Sequence, residues 1–65
     1  MENEIARKCF ASLVLDVEYP GDEDIPAYVK CRVLVDGWYR ATIYAANREE
    51  AISRFYSGEW KEREE

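Results

Sequence analysis

The dipeptide Asp36-Gly37 sits between two runs of alternating apolar and polar residues, and that arrangement restricts the middle of the chain to a β-hairpin. Before it, Val29, Cys31 and Val33 alternate with Tyr28, Lys30, Arg32 and Leu34; after it, Tyr39, Ala41 and Ile43 continue the apolar set. Successive strand residues point to opposite faces, so a one-residue slip in pairing would turn one strand inside out. A two-residue loop pairs Val33 with Arg40 and Val29 with Tyr44, which mixes the faces. A three-residue loop, Val35-Asp36-Gly37 with Gly37 left-handed, pairs Val33 with Tyr39, Cys31 with Ala41 and Val29 with Ile43, and is the expected register. It also sets Arg32 opposite Arg40, a repulsion relieved if an acidic strand lies alongside.

Such a strand precedes the hairpin. From Cys9 to Tyr19 the odd positions Cys9, Ala11, Leu13, Leu15 and Val17 are apolar, and the even positions include Ser12, Asp16 and Glu18. The stretch from Tyr19 to Pro26 encloses Asp22-Glu23-Asp24 between Pro20-Gly21 and a second proline, which makes it an exposed acidic loop. After Ala45-Ala46, Asn47-Arg48-Glu49-Glu50 has the form of a helix start, with Asn47 as N-cap and Glu50 three residues later. Ala51, Ile52 and Phe55 form an apolar stripe, and Gly58 ends the helix. The expected fold is α+β: a three-stranded antiparallel sheet packed on one C-terminal helix, in the order β-β-β-α. Residues 1–65 form one small domain with frayed ends at 1–7 and 61–65. The expected core is Leu13, Leu15, Val17, Val29, Cys31, Val33, Tyr39, Ala41, Ile43, Ile52 and Phe55.

Sixty-five residues with a formal charge of −5 exclude several function classes. Histidine, the commonest general acid–base group, is absent. A nucleophilic Ser or Cys has no visible neighbouring base, so the chain is not expected to be an enzyme, and no catalytic residue or cofactor is assigned. Cys9 and Cys31 lack both the spacing and the histidines of a zinc site, and Asp22-Glu23-Asp24 lacks the alternate ligand spacing of a calcium loop, so no metal is expected. No apolar run approaches a membrane span, and residues 1–8 lack the apolar region of a secretory signal; a cytoplasmic protein with reduced thiols and no membrane partner is expected. The acidic balance argues against direct binding of nucleic acid by the chain.

The distribution of charge is more informative than its sum. Residues 9–29 hold Asp16, Glu18, Asp22, Glu23 and Asp24 and no base, whereas residues 30–48 hold Lys30, Arg32, Arg40 and Arg48 against Asp36. Asp16 and Glu18, ~6.6 Å apart along one strand face and continued by the loop acids, would form a carboxylate row with a spacing of the order of backbone phosphates. Tyr19, Tyr28 and Trp38 or Trp60 are the candidate aromatic anchors beside that row, since interface energy concentrates in such residues, and Tyr19 and Trp60 are the ones assigned. The partner-binding set is therefore Asp16, Glu18, Tyr19, Asp22, Glu23, Asp24 and Trp60. Phe10, Val14, Tyr28, Leu34, Trp38 and Tyr44 would gather on the uncovered sheet face, which keeps a homodimer open.

In size, acidity and simplicity the whole chain is similar to phage-encoded anti-CRISPR proteins, several of which imitate DNA. That resemblance implies an inhibitor in the host cytoplasm whose partner is a basic nucleic-acid-binding protein or complex, a Cas protein. The stretch from Tyr28 to Phe55, with Asp36-Gly37, Trp38-Tyr39 and Asn47-Arg48-Glu49-Glu50-Ala51, resembles the partial double-stranded-RNA-binding-like fold of HicB-type antitoxins. It implies the alternative, an antitoxin-like or other protein-interaction module working through its apolar sheet face.

Overall fold

The structure, a computed structural model, describes residues 3–8 and 10–60. Its elements are strands β1 (Asn3–Lys8), β2 (Ala11–Tyr19), β3 (Tyr28–Val35) and β4 (Trp38–Ala45), followed by helix α1 (Arg48–Ser57). The strands form one antiparallel sheet in the order β1-β2-β3-β4, and α1 packs on one face. The architecture is thus α+β with a C-terminal helix, and the sheet has four strands where three were expected.

The additional strand is the segment read as a frayed end. Asn3–Lys8 pairs with β2 from Asn3↔Leu15 to Lys8↔Ala11. Its polar residues suit an edge: Glu4 and Arg7 form an ion pair at 2.7 Å on the uncovered face, while Ile5 and Ala6 pack against the core. A register shift between Glu4 and Ala6 turns Ile5 and Ala6 together toward that core. The expectation of fraying at 61–65, and the inward placement of Cys9, lie outside the described residues.

The hairpin turn corrects the expected loop. Asp36 (φ 56°) and Gly37 (φ 85°) both occupy the left-handed region, as a two-residue primed turn requires. The face-mixing that argued against this turn is removed by a β-bulge: Val35 pairs with Trp38 and Leu34 with Tyr39, then Arg40 is passed over and Val33 pairs with Ala41. From there Cys31 faces Ile43, Val29 faces Ala45, and Arg32 lies opposite Thr42, not Arg40.

A second bulge changes β2. Leu15 pairs with Cys31 but Val17 pairs with Lys30, leaving Asp16 as the extra residue. Beyond it the facing of β2 is inverted, so Val17 is exposed on the uncovered face and is not core, and Glu18 lies opposite inward Val29. Tyr39, paired with Leu34, is likewise exposed and leaves the expected core.

Helix α1 begins as expected. Asn47 Oδ1 accepts from the Glu50 amide at 2.8 Å, and Glu50 Oε1 accepts from the Ala46 amide at 2.9 Å, one residue earlier than the usual return bond of a capping box. Gly58 closes the helix with φ 81°. Phe55 and Ala51 seat the helix on Leu13, Val29, Cys31, Val33, Ala41 and Ile43, all buried, with Leu15 and Ile52 half-buried beside them. Burial raises the Cys31 thiol above its ordinary range and so disfavours the reactive thiolate.

Candidate functional site

Antiparallel connection puts the β2–β3 loop and the start of α1 at one end of the molecule, and the β1–β2 and β3–β4 turns at the other. Residues 17–30 and 44–50, at the loop end, carry six carboxylates against Lys30 and Arg48. The assigned acids are consequently near one another in the fold, yet they differ sharply in what their side chains touch.

Asp16 and Glu18 do not form a row. The Asp16 bulge leaves its carboxylate on the uncovered sheet face, 3.8 Å from Lys30 Nζ and 3.9 Å from Arg32 Nε. Inversion of the strand carries Glu18 to the helix-bearing face, where it pairs with Arg48 at 2.7 Å. The same contact holds the Arg48 guanidinium above its usual range. Lys30 and Arg32 lying beside Asp16 is the relief expected from an adjacent acidic strand, although the residue relieved opposite Arg32 is not Arg40.

Asp22 shapes the loop. Its Oδ1 accepts from the amides of Asp24 at 2.8 Å and Ile25 at 2.7 Å, and its Oδ2 accepts from the Tyr19 hydroxyl. These bonds favour the ionised carboxylate, Tyr19 foremost, and hold Asp22 below the ordinary carboxylate range; the same bond raises the Tyr19 phenol. A depressed folded value means that the Asp22 contribution is present at neutral pH and disappears as pH falls through that value. Tyr19 also packs against Tyr28, with ring centroids 5.4 Å apart.

Glu23 and Asp24 project from the loop that Asp22 holds, and neither carboxylate makes a hydrogen bond or ion pair with a described residue. Glu49, in the first turn of α1, is exposed at the same end and is equally unengaged among the described residues; it was not singled out from the sequence. Its only advance signal was its place in the first turn of the helix that Asn47 opens. A shallow hollow at this end is lined by Tyr19, Pro20, Ala27, Tyr28 and Asn47.

Trp60 is placed elsewhere. It is 6% exposed, stacks on Phe55 with ring centroids 6.1 Å apart, and donates from Nε1 to the Phe55 carbonyl at 3.0 Å. It belongs to the core and offers a partner little surface. The most exposed large apolar groups are Trp38 (78%) and Phe10 (76%), at the turn end of the molecule. The Asp36 amide donates to the Phe10 carbonyl at 3.1 Å and joins the two turns. Trp38 lies opposite Val35, on the helix-bearing side of the sheet, and so is not part of the uncovered face.

Among the described residues, no His, Cys, Asp or Glu side chains group as a metal would require, and no helix is long and apolar enough to cross a membrane. No protein-family model, curated protein or solved structure matches the chain.

Proposed function

We propose that this protein is a non-catalytic binding protein that occupies a basic, nucleic-acid-binding surface of a protein partner. Its most concrete form is an anti-CRISPR-type inhibitor, acting in the cytoplasm, that keeps a CRISPR surveillance complex from its DNA. The observation that carries this reading is the segregation of negative charge: Glu23, Asp24 and Glu49 stand unengaged by described residues at one end of the molecule. The contact surface is narrower than a carboxylate row along a strand, because Asp16 and Glu18 are already paired. Asp22 and Tyr19 act by holding the loop. Complementary charge of this kind accelerates encounter and weakens as salt rises.

The test is a double charge reversal, Glu23→Lys with Asp24→Lys, which leaves the bonds made by Asp22 intact. The expected result is at least a tenfold loss of inhibition of target-DNA binding by the surveillance complex, with an unchanged melting curve and a larger loss at about 50 than at about 200 mM salt, where screening has already weakened the attraction. Full inhibition by the double variant refutes the reading.

A second reading, a protein-interaction module anchored by apolar groups, is favoured by the exposure of Phe10 and Trp38 on joined turns. Its working surface is then the turn end and not the sheet face. Under it, Trp38→Ala removes partner binding while the Glu23/Asp24 reversal leaves it intact.

A further inference from the structure

The face of the sheet opposite α1 has a composition unlike the rest of this acidic chain. The alternation of β3 puts Tyr28, Lys30, Arg32 and Leu34 on it, and cross-strand pairing adds Tyr19 opposite Tyr28, Tyr44 opposite Lys30 and Tyr39 opposite Leu34. Four of the chain's five tyrosines therefore share one face. Tyr39 is 60% and Tyr44 57% exposed, both on β4.

The charge on this face is also reversed relative to the whole. Lys30 and Arg32 share a single carboxylate, Asp16, at 3.8 and 3.9 Å, both beyond hydrogen-bonding distance. Arg32 Nε is inaccessible to solvent and has no hydrogen-bond partner. Arg7 and Glu4 neutralise one another nearby. Among the described residues the centre of the face thus holds two cations against one acid, with side chains of Lys30 and Arg32 37% and 40% exposed. Their strand positions are ~6.6 Å apart, of the order of successive phosphates on one strand.

Exposed aromatic rings beside cations on an open, uncovered sheet form the combination that holds single strands of nucleic acid, the rings stacking on bases of any sequence and the cations meeting phosphates. We propose that this face is a contact surface for single-stranded nucleic acid, with Lys30 and Arg32 meeting backbone phosphates and Tyr39 and Tyr44 stacking on bases. The overall charge of −5 does not forbid it, because exposed charges farther apart than the Debye length, ~8 Å at physiological salt, are largely screened, and Arg32 stands four strand residues, ~13 Å, from the start of β3 where the acidic loop ends. The proposal goes beyond the acidic-end reading and stands on different residues.

Titrating the ¹⁵N-labelled protein with a ten-residue oligouridylate tests it. Amide shifts are expected to concentrate at residues 28–34 and 39–44. With about two phosphate contacts, log K should fall against log salt with a slope near −1.4, by ~0.7 per phosphate for single strands. Lys30→Glu with Arg32→Glu should abolish binding, and Tyr44→Ala should weaken it about fivefold or more with the fold unchanged. Asp16→Asn should strengthen binding, because it removes the carboxylate that competes with phosphate; a merely structural ion pair predicts no such gain. The Glu23/Asp24 reversal should leave every position on this face responsive, so failure of the acidic-end reading is separately visible. No shifts on this face, equal shifts with a polyglutamate decamer, no gain from Asp16→Asn, or a stable dimer that protects Tyr44 would each overturn the proposal.

Discussion

Gly21 and Gly37 both adopt the left-handed backbone, at φ 95° and 85°, but a side chain at each would meet different surroundings. A Cβ on Gly37 has open space, whereas one on Gly21 comes within 2.7 Å of the Ala27 backbone nitrogen and 3.2 Å of its Cα. Gly37→Ala should therefore cost about 1–2 kcal/mol, the left-handed penalty alone. Gly21→Ala adds a clash with backbone that cannot rotate away, worth a further ~1–3 kcal/mol. Urea unfolding of both variants checks this, and equal costs would show that Gly21 is not held against Ala27. The same loop shows the limit of sequence reading at this scale. Asp22, Glu23 and Asp24 are consecutive acids of similar appearance, and only the placement of the Asp24 and Ile25 amides around Asp22 separates the residue that holds the loop from those that project. Trp60, assigned to the partner-binding set, instead packs on Phe55, whose carbonyl accepts from its indole nitrogen.

At the scale of elements, the helix and three strands were legible because their signals are local. Asn47, Glu50 and Gly58 marked the ends of α1, and period-2 alternation marked β2, β3 and β4. Replacing Asn47 by Ala removes the acceptor for the Glu50 amide and should cost about 1 kcal/mol. Asn47→Asp keeps an acceptor at the positive end of the helix and should restore stability, measured by thermal or urea unfolding. Equal loss in both variants would place the effect outside the cap. Strand β1 was illegible because an edge strand with Glu4, Arg7 and Lys8 shows no sustained alternation, and because pairing with β2 is a long-range event. Bulges at Ile5, Asp16 and Arg40 carry no compositional signal, and each alters which face the residues beyond it occupy. The carboxylate row was drawn from an unbroken β2, so the bulge at Asp16 removed it without moving any residue in the sequence.

For the molecule as a whole, one ten-residue helix covers a four-stranded sheet, and the cover is completed by Trp60 beyond the end of that helix. A chain of this length has a total stability of roughly 3–10 kcal/mol. Truncating a buried tryptophan to alanine costs about 3–5 kcal/mol, because it removes apolar contact and leaves a cavity. Here the stacked Phe55 ring would be uncovered and the Phe55 carbonyl would lose its indole donor. Trp60→Ala should therefore lower the melting temperature by about 12 °C or more, at ~4 °C per kcal/mol for a domain of this size. Trp60→Phe, which retains an aromatic ring on Phe55 but not the hydrogen bond, should lose a smaller part of that. The pair also separates a structural from a contact role: loss of partner binding that follows stability across both variants belongs to the fold, whereas a stable Trp60→Phe protein that no longer binds would return Trp60 to the interface. A Trp60→Ala melting temperature within about 4 °C of the parent would mean that Phe55 and Ala51 hold the helix on the sheet without it.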